Sequence, residues 1–395
     1  MSKREVVILS GVRTAIADFG GTLKDQPASE LAGKVVAEAV NRSGLSPEDI
    51  GHCVIGSVLH GDRRDMYISR VAALKAGLPI ETPSLTVNRL CGSGLQALVS
   101  AAQMILLDDC DAAVAGGSES MSRAPYWLPA ARFGANMGDG SMVDSLTGVL
   151  TCPMGDIHMG VTAENVADQF SISREQQDEL AKQSHQRAQR AIEENRFDGQ
   201  ILPIEIKTRK GVTVFEQDEH IRFDCDIESM AKLRPAFKKD GSVTAGNASG
   251  INDGAAALVL MKLSDAERRG HAPLGIIHSH ATHSQEPNLF TTAPIGSIEK
   301  VLAKSGWSVG DVDLFEINEA FAVVTMAAMR DLDIPHDKVN VHGGACALGH
   351  PVGASGARII VTLLNALRKY DLTKGVASLC IGGGEATAIT IERLN

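Results

Sequence analysis

The sequence predicts an α/β protein made of two similar units, each a mostly parallel sheet with helices on its faces. Three observations carry this. Short apolar runs of strand length alternate with longer segments of helical period. The order of these elements, and some of their residues, recur late in the 395-residue chain. Between the copies lies a stretch of different character, rich first in turns and then in polar helix.

The first copy opens with the apolar run 6–9, read as a strand, followed by Gly11-Val12-Arg13-Thr14 and a polar loop. Leu31, Val35, Val36, Ala39 and Val40 give a helix over 29–41 its apolar face, and Ser43-Gly44 stops it. Ser46-Pro47-Glu48-Asp49 opens the next element. Residues 53–59 read as a buried strand and 66–76 as a second helix. Leu85-Thr86-Val87 reads as another buried strand, which turns through Cys91-Gly92-Ser93-Gly94 into an Ala-rich helix over 95–107. Residues 112–117 form a short buried strand that ends in glycines.

The second copy repeats this order. Ser305-Gly306-Trp307-Ser308 with Asp311-Val312 answers Ser43-Gly44-Leu45-Ser46 with Asp49-Ile50, 262 residues further on. A strand over 314–317 answers 53–59, Val339-Asn340 answers Val87-Asn88, and 377–384 answers 112–117. Two distant copies indicate a duplicated domain rather than a solenoid. The units are then 1–120, completed within 251–273 by a strand over 255–260, and 274–395. Residues 121–250 form an insertion predicted to cover the active face. There Ser173-Arg174-Glu175-Gln176 fits a capping box, ahead of a mostly polar helix carrying Leu180, Ser184, Arg187, Ala188 and Ala191.

Composition narrows the function. A hydrophobic fraction of 44% with 22% charged residues suits a soluble globular enzyme. The run 6–9 is too short for a signal-peptide core, and no apolar stretch reaches membrane-spanning length. Seven scattered cysteines without a C-x-x-C pair point to reduced thiols in the cytoplasm, with no zinc site or disulfide frame. A net charge of −10 argues against nucleic acid as the main partner. An anionic ligand needs a local basic patch. Lys207, Arg209, Lys210, Arg222, Lys232, Arg234, Lys238 and Lys239 make the insertion locally basic, although a solvated surface accounts equally well for most of these lysines.

Four stretches carry the chemistry. Cys91 falls on a strand-to-helix turn, where free N–H groups and the helix dipole favour a thiolate and lower its pKa. A lone cysteine there also suits inert packing. Ile317-Asn318-Glu319-Ala320-Phe321 follows a strand and starts a helix, so Asn318 is either a helix cap or a functional amide. Gly343-Gly344-Ala345-Cys346-Ala347-Leu348-Gly349-His350-Pro351 puts a histidine in a glycine-rich turn. Leu379-Cys380-Ile381-Gly382-Gly383-Gly384 ends a strand with a second cysteine. Active sites of open α/β sheets are built from loops at strand ends, so two facing units can bring Cys91 to His350 and Cys380.

With these stretches in view, the chain resembles the thiolase family along essentially its whole length. The match includes residues 87–94, His158-Met159-Gly160, Thr162-Ala163-Glu164-Asn165, Gly246-Asn247-Ala248-Ser249-Gly250, 318–321, Gly349-His350-Pro351 and 380–384. The resemblance implies a five-layered αβαβα subunit in a homotetramer (a dimer of dimers) or a dimer. It also implies acetyl-CoA acyltransferase activity, no metal, no tightly bound cofactor, and coenzyme A esters as substrates. By the same resemblance Cys91 is the acylated nucleophile, and His350, with a near-neutral pKa, takes its proton. Cys380 exchanges a proton with the acetyl α-carbon. Asn318, through a water, and His350 Nε2 hold the enolate oxygen, and the N–H groups of Cys91 and Gly382 hold the acyl oxyanion. Met159 and Ser249 line the pantetheine channel, Arg222 and Ser229 lie near the nucleotide end, and Phe237 and Phe321 complete the coenzyme A contacts. A decarboxylating ketoacyl synthase shares the duplicated fold but lacks the second catalytic cysteine, and a non-catalytic scaffold for coenzyme A esters predicts loss of Cys91, His350 or Cys380.

Four departures from the family pattern stand out. His342 takes the place of an Asn. Glu385-Ala386 follows the Gly382-Gly383-Gly384 run, and a carboxylate there, if it faces inward, raises the pKa of Cys380. Phe290-Thr291-Thr292-Ala293-Pro294 replaces Met-Gly-Thr-Gly-Pro beside the acyl pocket. Arg64-Asp65-Met66-Tyr67 replaces a Gln/Asn-rich stretch at the subunit interface and pocket rim. The last two bear on acyl chain length and extend the expected substrates from acetoacetyl-CoA to short and medium chains.

Overall fold

A computed structural model describes residues 5–134, 136–209 and 211–394, so Lys210 lies outside the described residues. The first half runs β1 (Val6–Thr14), α1 (Ala28–Ser43), β2 (His52–Gly56), α2 (Ile68–Lys75), β3 (Ser84–Val87), α3 (Ser93–Leu106) and β4 (Ala112–Ser120). The insertion contributes α4 (Met159–Phe170) and α5 (Arg174–Glu193), after which β5 (Asn252–Lys262) returns to the sheet. The second half runs β6 (Gly275–Ser284), α6 (Ala293–Ser305), β7 (Leu314–Ile317), α7 (Ala322–Asp331), α8 (Val352–Lys369), β8 (Lys374–Ile381) and β9 (Glu385–Arg393).

The strands form one continuous sheet in the order β7-β8-β9-β6-β1-β5-β4-β2-β3. The halves meet where Val6, Val7 and Ile8 of β1 pair with Ile277, Ile276 and Gly275 of β6. Parallel pairing joins β2 with β3 and β4, and β7 with β8, and the short segment Ile201–Leu202 also lies parallel to β1. The central pairs are antiparallel, so the expected mostly parallel sheets are mixed. The cause is local at β8–β9, where a short glycine turn can join only antiparallel neighbours.

Strand alternation builds the layers. Val7 and Leu9 of β1 pack toward Leu31 and Val35 of α1, whereas Val6 and Ile8 face the cluster formed by Leu95 and Leu98 of α3 with Ile359 and Leu363 of α8. A third cluster sets Ile298 and Val301 of α6 and Val323 of α7 against Phe315 and Val376. The result is α1/α2, sheet, α3/α8, sheet, α6/α7. The two central helices approach closely enough that a Cβ on Gly94 would lie 2.7 Å from the Ala357 nitrogen.

The repeat is visible in hydrogen bonds. Ser46 N–H donates to Asp49 Oδ2 at 2.8 Å and Ser308 N–H to Asp311 Oδ2 at 2.7 Å. Gly44 and Gly306 close the preceding helices at φ 72° and 69°. The capping box of Ser173 and Gln176 starts α5, whose Leu180, Ser184, Ala188 and Ala191 are buried. Three local expectations change. Strand β3 lies at the sheet edge, so Leu85 is 38% exposed rather than buried. β2 ends at Gly56, and a 3₁₀ turn over Asp65–Tyr67 precedes α2. The turn before His350 contains a helical turn, Ala345–Leu348.

Candidate active site

A cavity of about 390 Å³ opens between the insertion and the two halves. Cys91, His350 and Gly382 line it from the halves, while Met159, Phe237 and Ser249 line it from the insertion and its junction with β5. Cys91 sits between β3 and α3 on a turn held by the Ser93 hydroxyl, which accepts from Arg89 N–H at 2.9 Å and donates to Leu90 O at 2.6 Å. Leu90 takes φ 47° to make the turn.

The electrostatics differ from the expectation for an exposed helix start. Burial pushes the Cys91 thiol up to about 11, while the N–H groups of Gly382 and Cys91 itself, both directed at the sulfur, pull it part of the way back. The thiol is therefore not lowered, because desolvation outweighs the helix end. Burial likewise pushes His350 down to about 3, with the Arg358 charge adding, so its pKa is not near neutral. The resting pair is a thiol and a neutral imidazole.

Sequence reading missed Ser355, whose hydroxyl meets His350 Nδ1. The Ser355 hydroxyl lies 3.0 Å from Pro351 O and 2.5 Å from His350 Nδ1, and with its own proton on Pro351 O it accepts from Nδ1–H. The tautomer with its proton on Nδ1 satisfies both contacts and leaves Nε2 free. Asn252 of β5, also missed, accepts from His350 N–H at 2.9 Å. Spacing gives a signal for Ser355 alone, five residues on at the start of α8.

Asn318 and Cys380 stand behind the cavity wall. Asn318 is 1% exposed, with Nδ2 3.4 and 3.5 Å from the two ring nitrogens of His350. Cys380 is fully buried at the end of β8, and burial followed by the proximity of Cys91 raises its pKa well above the ordinary thiol value. Glu385 plays no part in that shift. It turns to Arg89, 3.0 Å from Nη2.

Of the residues expected to hold coenzyme A, Met159, Arg222, Phe237, Ser249 and Phe321 line the cavity. Phe237 stacks on His158 with centroids 4.7 Å apart and meets Phe321 edge-on. Ser229 does not line it. It is exposed on a short helix, Ile227–Ala231, with its N–H on Asp226 Oδ1 at 2.9 Å. Lys232, Arg234 and Lys239 are exposed away from the cavity, and Lys238 pairs with Asp168. His220, not anticipated, lines the cavity with Nδ1 2.6 Å from Asp18 Oδ1. Phe290 is buried against the cavity, as its place in the sequence suggested, but Met66 and Tyr67 are exposed and form no part of its wall. Among the described residues no cluster could hold a metal ion, and no helix is long and apolar enough to cross a membrane.

A five-layered duplicated fold with a cysteine at a helix start, a buried histidine and a second buried cysteine defines a cysteine-centred α/β site. Comparison with known proteins makes it specific. The chain matches the family "Thiolase, N-terminal domain" over residues 6–264 and "Thiolase, C-terminal domain" over 271–393. It is 51% identical to beta-ketothiolase BktB of Cupriavidus necator over 392 residues, covering 99% of this chain and 100% of that protein. It is 47% identical to acetyl-CoA acetyltransferase of Chromobacterium violaceum, covering 98% and 100%. Among solved structures, Bacillus anthracis acetyl-CoA acetyltransferase superposes with TM-score 0.96 at 46% identity, covering 99% of each chain. Human mitochondrial 3-ketoacyl-CoA thiolase in complex with CoA gives 0.96 at 40% identity, covering 99% of this chain and 98% of that one. The chain belongs to the thiolase family.

Proposed function

We propose that this chain is a β-ketothiolase, an acyltransferase that cleaves a 3-ketoacyl-CoA with coenzyme A and runs the reverse Claisen condensation. The observation that carries the reading is the convergence of Cys91, His350 and the Gly382 N–H on one cavity, with Cys380 near enough to Cys91 to be perturbed by it. In thiolysis His350 Nε2 takes the Cys91 proton as the sulfur attacks the 3-keto carbonyl. The N–H groups of Cys91 and Gly382 hold the oxyanion. Its collapse breaks the C2–C3 bond and leaves the electron pair on the acetyl-CoA enolate. His350, now a donor at Nε2, and Asn318, through a water, hold the enolate oxygen. Cys380 gives its proton to C2, and acetyl-CoA leaves. A second coenzyme A passes its thiol proton to the Cys380 thiolate and attacks the Cys91 thioester. The acyl-CoA departs, and the Cys91 thiolate recovers its proton from His350. The high pKa of Cys380 suits this role, because the reverse reaction takes a proton from carbon and needs a base stronger than a carboxylate.

On the same reading the insertion, 121–250, holds coenzyme A through Met159, Arg222, Phe237 and Ser249, with Ser229 nearer the nucleotide end than the cavity. Exposed Trp127, Leu128, Phe133 and Met142 on the same insertion supply contacts for a homotetramer. Seven free cysteines suit the cytoplasm. Substrates are short to medium chains, including acetoacetyl-CoA. Mass spectrometry after incubation with acetyl-CoA tests the reading, which requires an acyl adduct on Cys91. An unmodified Cys91 would overturn it. A kcat/KM series for thiolysis over acyl chains of increasing length then sets the substrate range.

A further inference from the structure

The Asn318 side chain is a planar amide whose two ends differ: Oδ1 only accepts and Nδ2 only donates. To hold an enolate oxygen, directly or through a water, the donating end must face the cavity side. Nothing in Asn318 itself decides which way the amide lies. The neighbour that does is Arg358 of α8, only 2% exposed, whose Nη2 donates to Asn318 Oδ1 at 3.3 Å. Nδ2 is thereby left on the His350 side, 3.4 and 3.5 Å from its ring nitrogens. A guanidinium has five N–H donors and no acceptor, so a reversed amide would set donor against donor.

Arg358 is poorly served for a residue that only packs. Its closest carboxylate, Glu316 of β7, lies 3.7 Å from Nη1, and among the described residues Nε and Nη1 have no hydrogen-bond partner. A buried ion pair of this kind contributes little stability, and an apolar chain of like volume fills such a space at least as well. Its donors are useful instead for the amide that stands in front of them.

We propose that Arg358 is a positioning residue for the α-carbon step: it orients the Asn318 amide with Nδ2 toward the enolate oxygen. The inference rests on the thiolase reading above. It predicts a separation of the two half-reactions, because formation of the acyl-enzyme at Cys91 uses His350 but not the Asn318 amide, whereas exchange of the acetyl α-protons uses both.

The test uses Arg358→Met, which keeps the length without donors, and Arg358→Gln, which keeps one donor toward Oδ1 without charge. In the Met variant KM for acetyl-CoA and the rate of Cys91 acylation stay within about threefold of wild type. Exchange of the acetyl α-protons with solvent deuterium, and condensation with it, fall about a hundredfold, the scale of a misplaced reacting group. The Gln variant falls about tenfold in the same two readouts. Because Arg358 acts through Asn318, the double variant Asn318→Ala/Arg358→Met loses no more exchange than Asn318→Ala alone. Wild-type exchange in Arg358→Met overturns the inference. So does parallel loss of acylation, KM and exchange, or a loss that multiplies in the double variant. If Arg358→Met fails to fold, Arg358→Gln carries the test, and exchange at the wild-type rate there is the refuting result. A wild-type protein that neither acylates Cys91 nor exchanges protons sinks the thiolase reading itself, whereas an active wild type with unaffected variants removes only the role of Arg358.

Discussion

His342 makes a sharp test of what burial does to an imidazole. It stands where the family often has Asn, is 1% exposed, and has no hydrogen-bond partner at Nδ1 or Nε2 among the described residues. Phe197 meets it edge-on at 5.9 Å and Tyr370 lies at 5.5 Å. Burial pushes its pKa down to about 4, with the cations of Arg196, Arg13 and Lys369 adding to the shift. In the unfolded chain a histidine titrates near 6.5, about 2.5 units higher. The unfolded chain therefore binds a proton that the folded one refuses. Stability from this residue is fully present above about pH 6.5, falls as the pH drops toward 4, and is flat below that. The loss is about 2 kcal/mol at pH 5 and about 3 kcal/mol at pH 4. His342→Phe removes the titration and keeps an aromatic ring. Any packing difference it introduces is the same at both pH values, so the readout is the change in unfolding free energy from pH 7 to pH 5, measured by urea titration. Wild type should lose about 2 kcal/mol more than the variant over that interval. His185 and His350 are shifted in the same direction, but they are present in both proteins and cancel. Equal losses in the two proteins would refute the reasoning.

Four further outcomes are expected. Cys91→Ser binds coenzyme A esters but forms no acyl-enzyme, because a hydroxyl is far harder to deprotonate in the same buried turn; burst kinetics in that variant would exclude Cys91 as nucleophile. Cys380→Ser is still acylated at Cys91 but loses exchange of the acetyl α-protons, and survival of that exchange at the wild-type rate would point to another base. Phe290 forms part of the cavity wall, so an acyl chain held in that cavity should meet it. Each added methylene contributes about 0.8 kcal/mol when it finds room, so thiolysis of 3-ketohexanoyl-CoA should match or exceed acetoacetyl-CoA. A deficit of more than about a hundredfold would mean a pocket closed by that ring. Arg13→Met strands a buried Asp218, now bonded to both terminal nitrogens of Arg13 at 2.7 and 2.9 Å, and should cost about 3–5 kcal/mol. Thermal unfolding within a degree or two of wild type would contradict that.

What the sequence determined about this protein is mostly what short stretches settle among themselves. The caps at Ser46, Ser173 and Ser308 close over three residues, Gly44 and Gly306 stop their helices by backbone freedom alone, and the apolar period of α1 follows from residue order. That is why the duplication was legible, and why Cys91, His350 and Cys380 could be named as a group from motifs at strand ends. Tertiary structure decided the rest. Strand direction depends on which neighbours meet, so β5 and β9 run antiparallel where parallel strands were expected, and Leu85 is exposed because β3 has a partner on one side only. The same holds for the chemistry. Glu385 turned to Arg89 rather than Cys380, Ser355 met His350 Nδ1, and Arg358 reached Asn318 from a different element. Cys91 was raised and His350 lowered, against the local expectation for each, because desolvation is set by everything packed around a group, most of it distant in the chain.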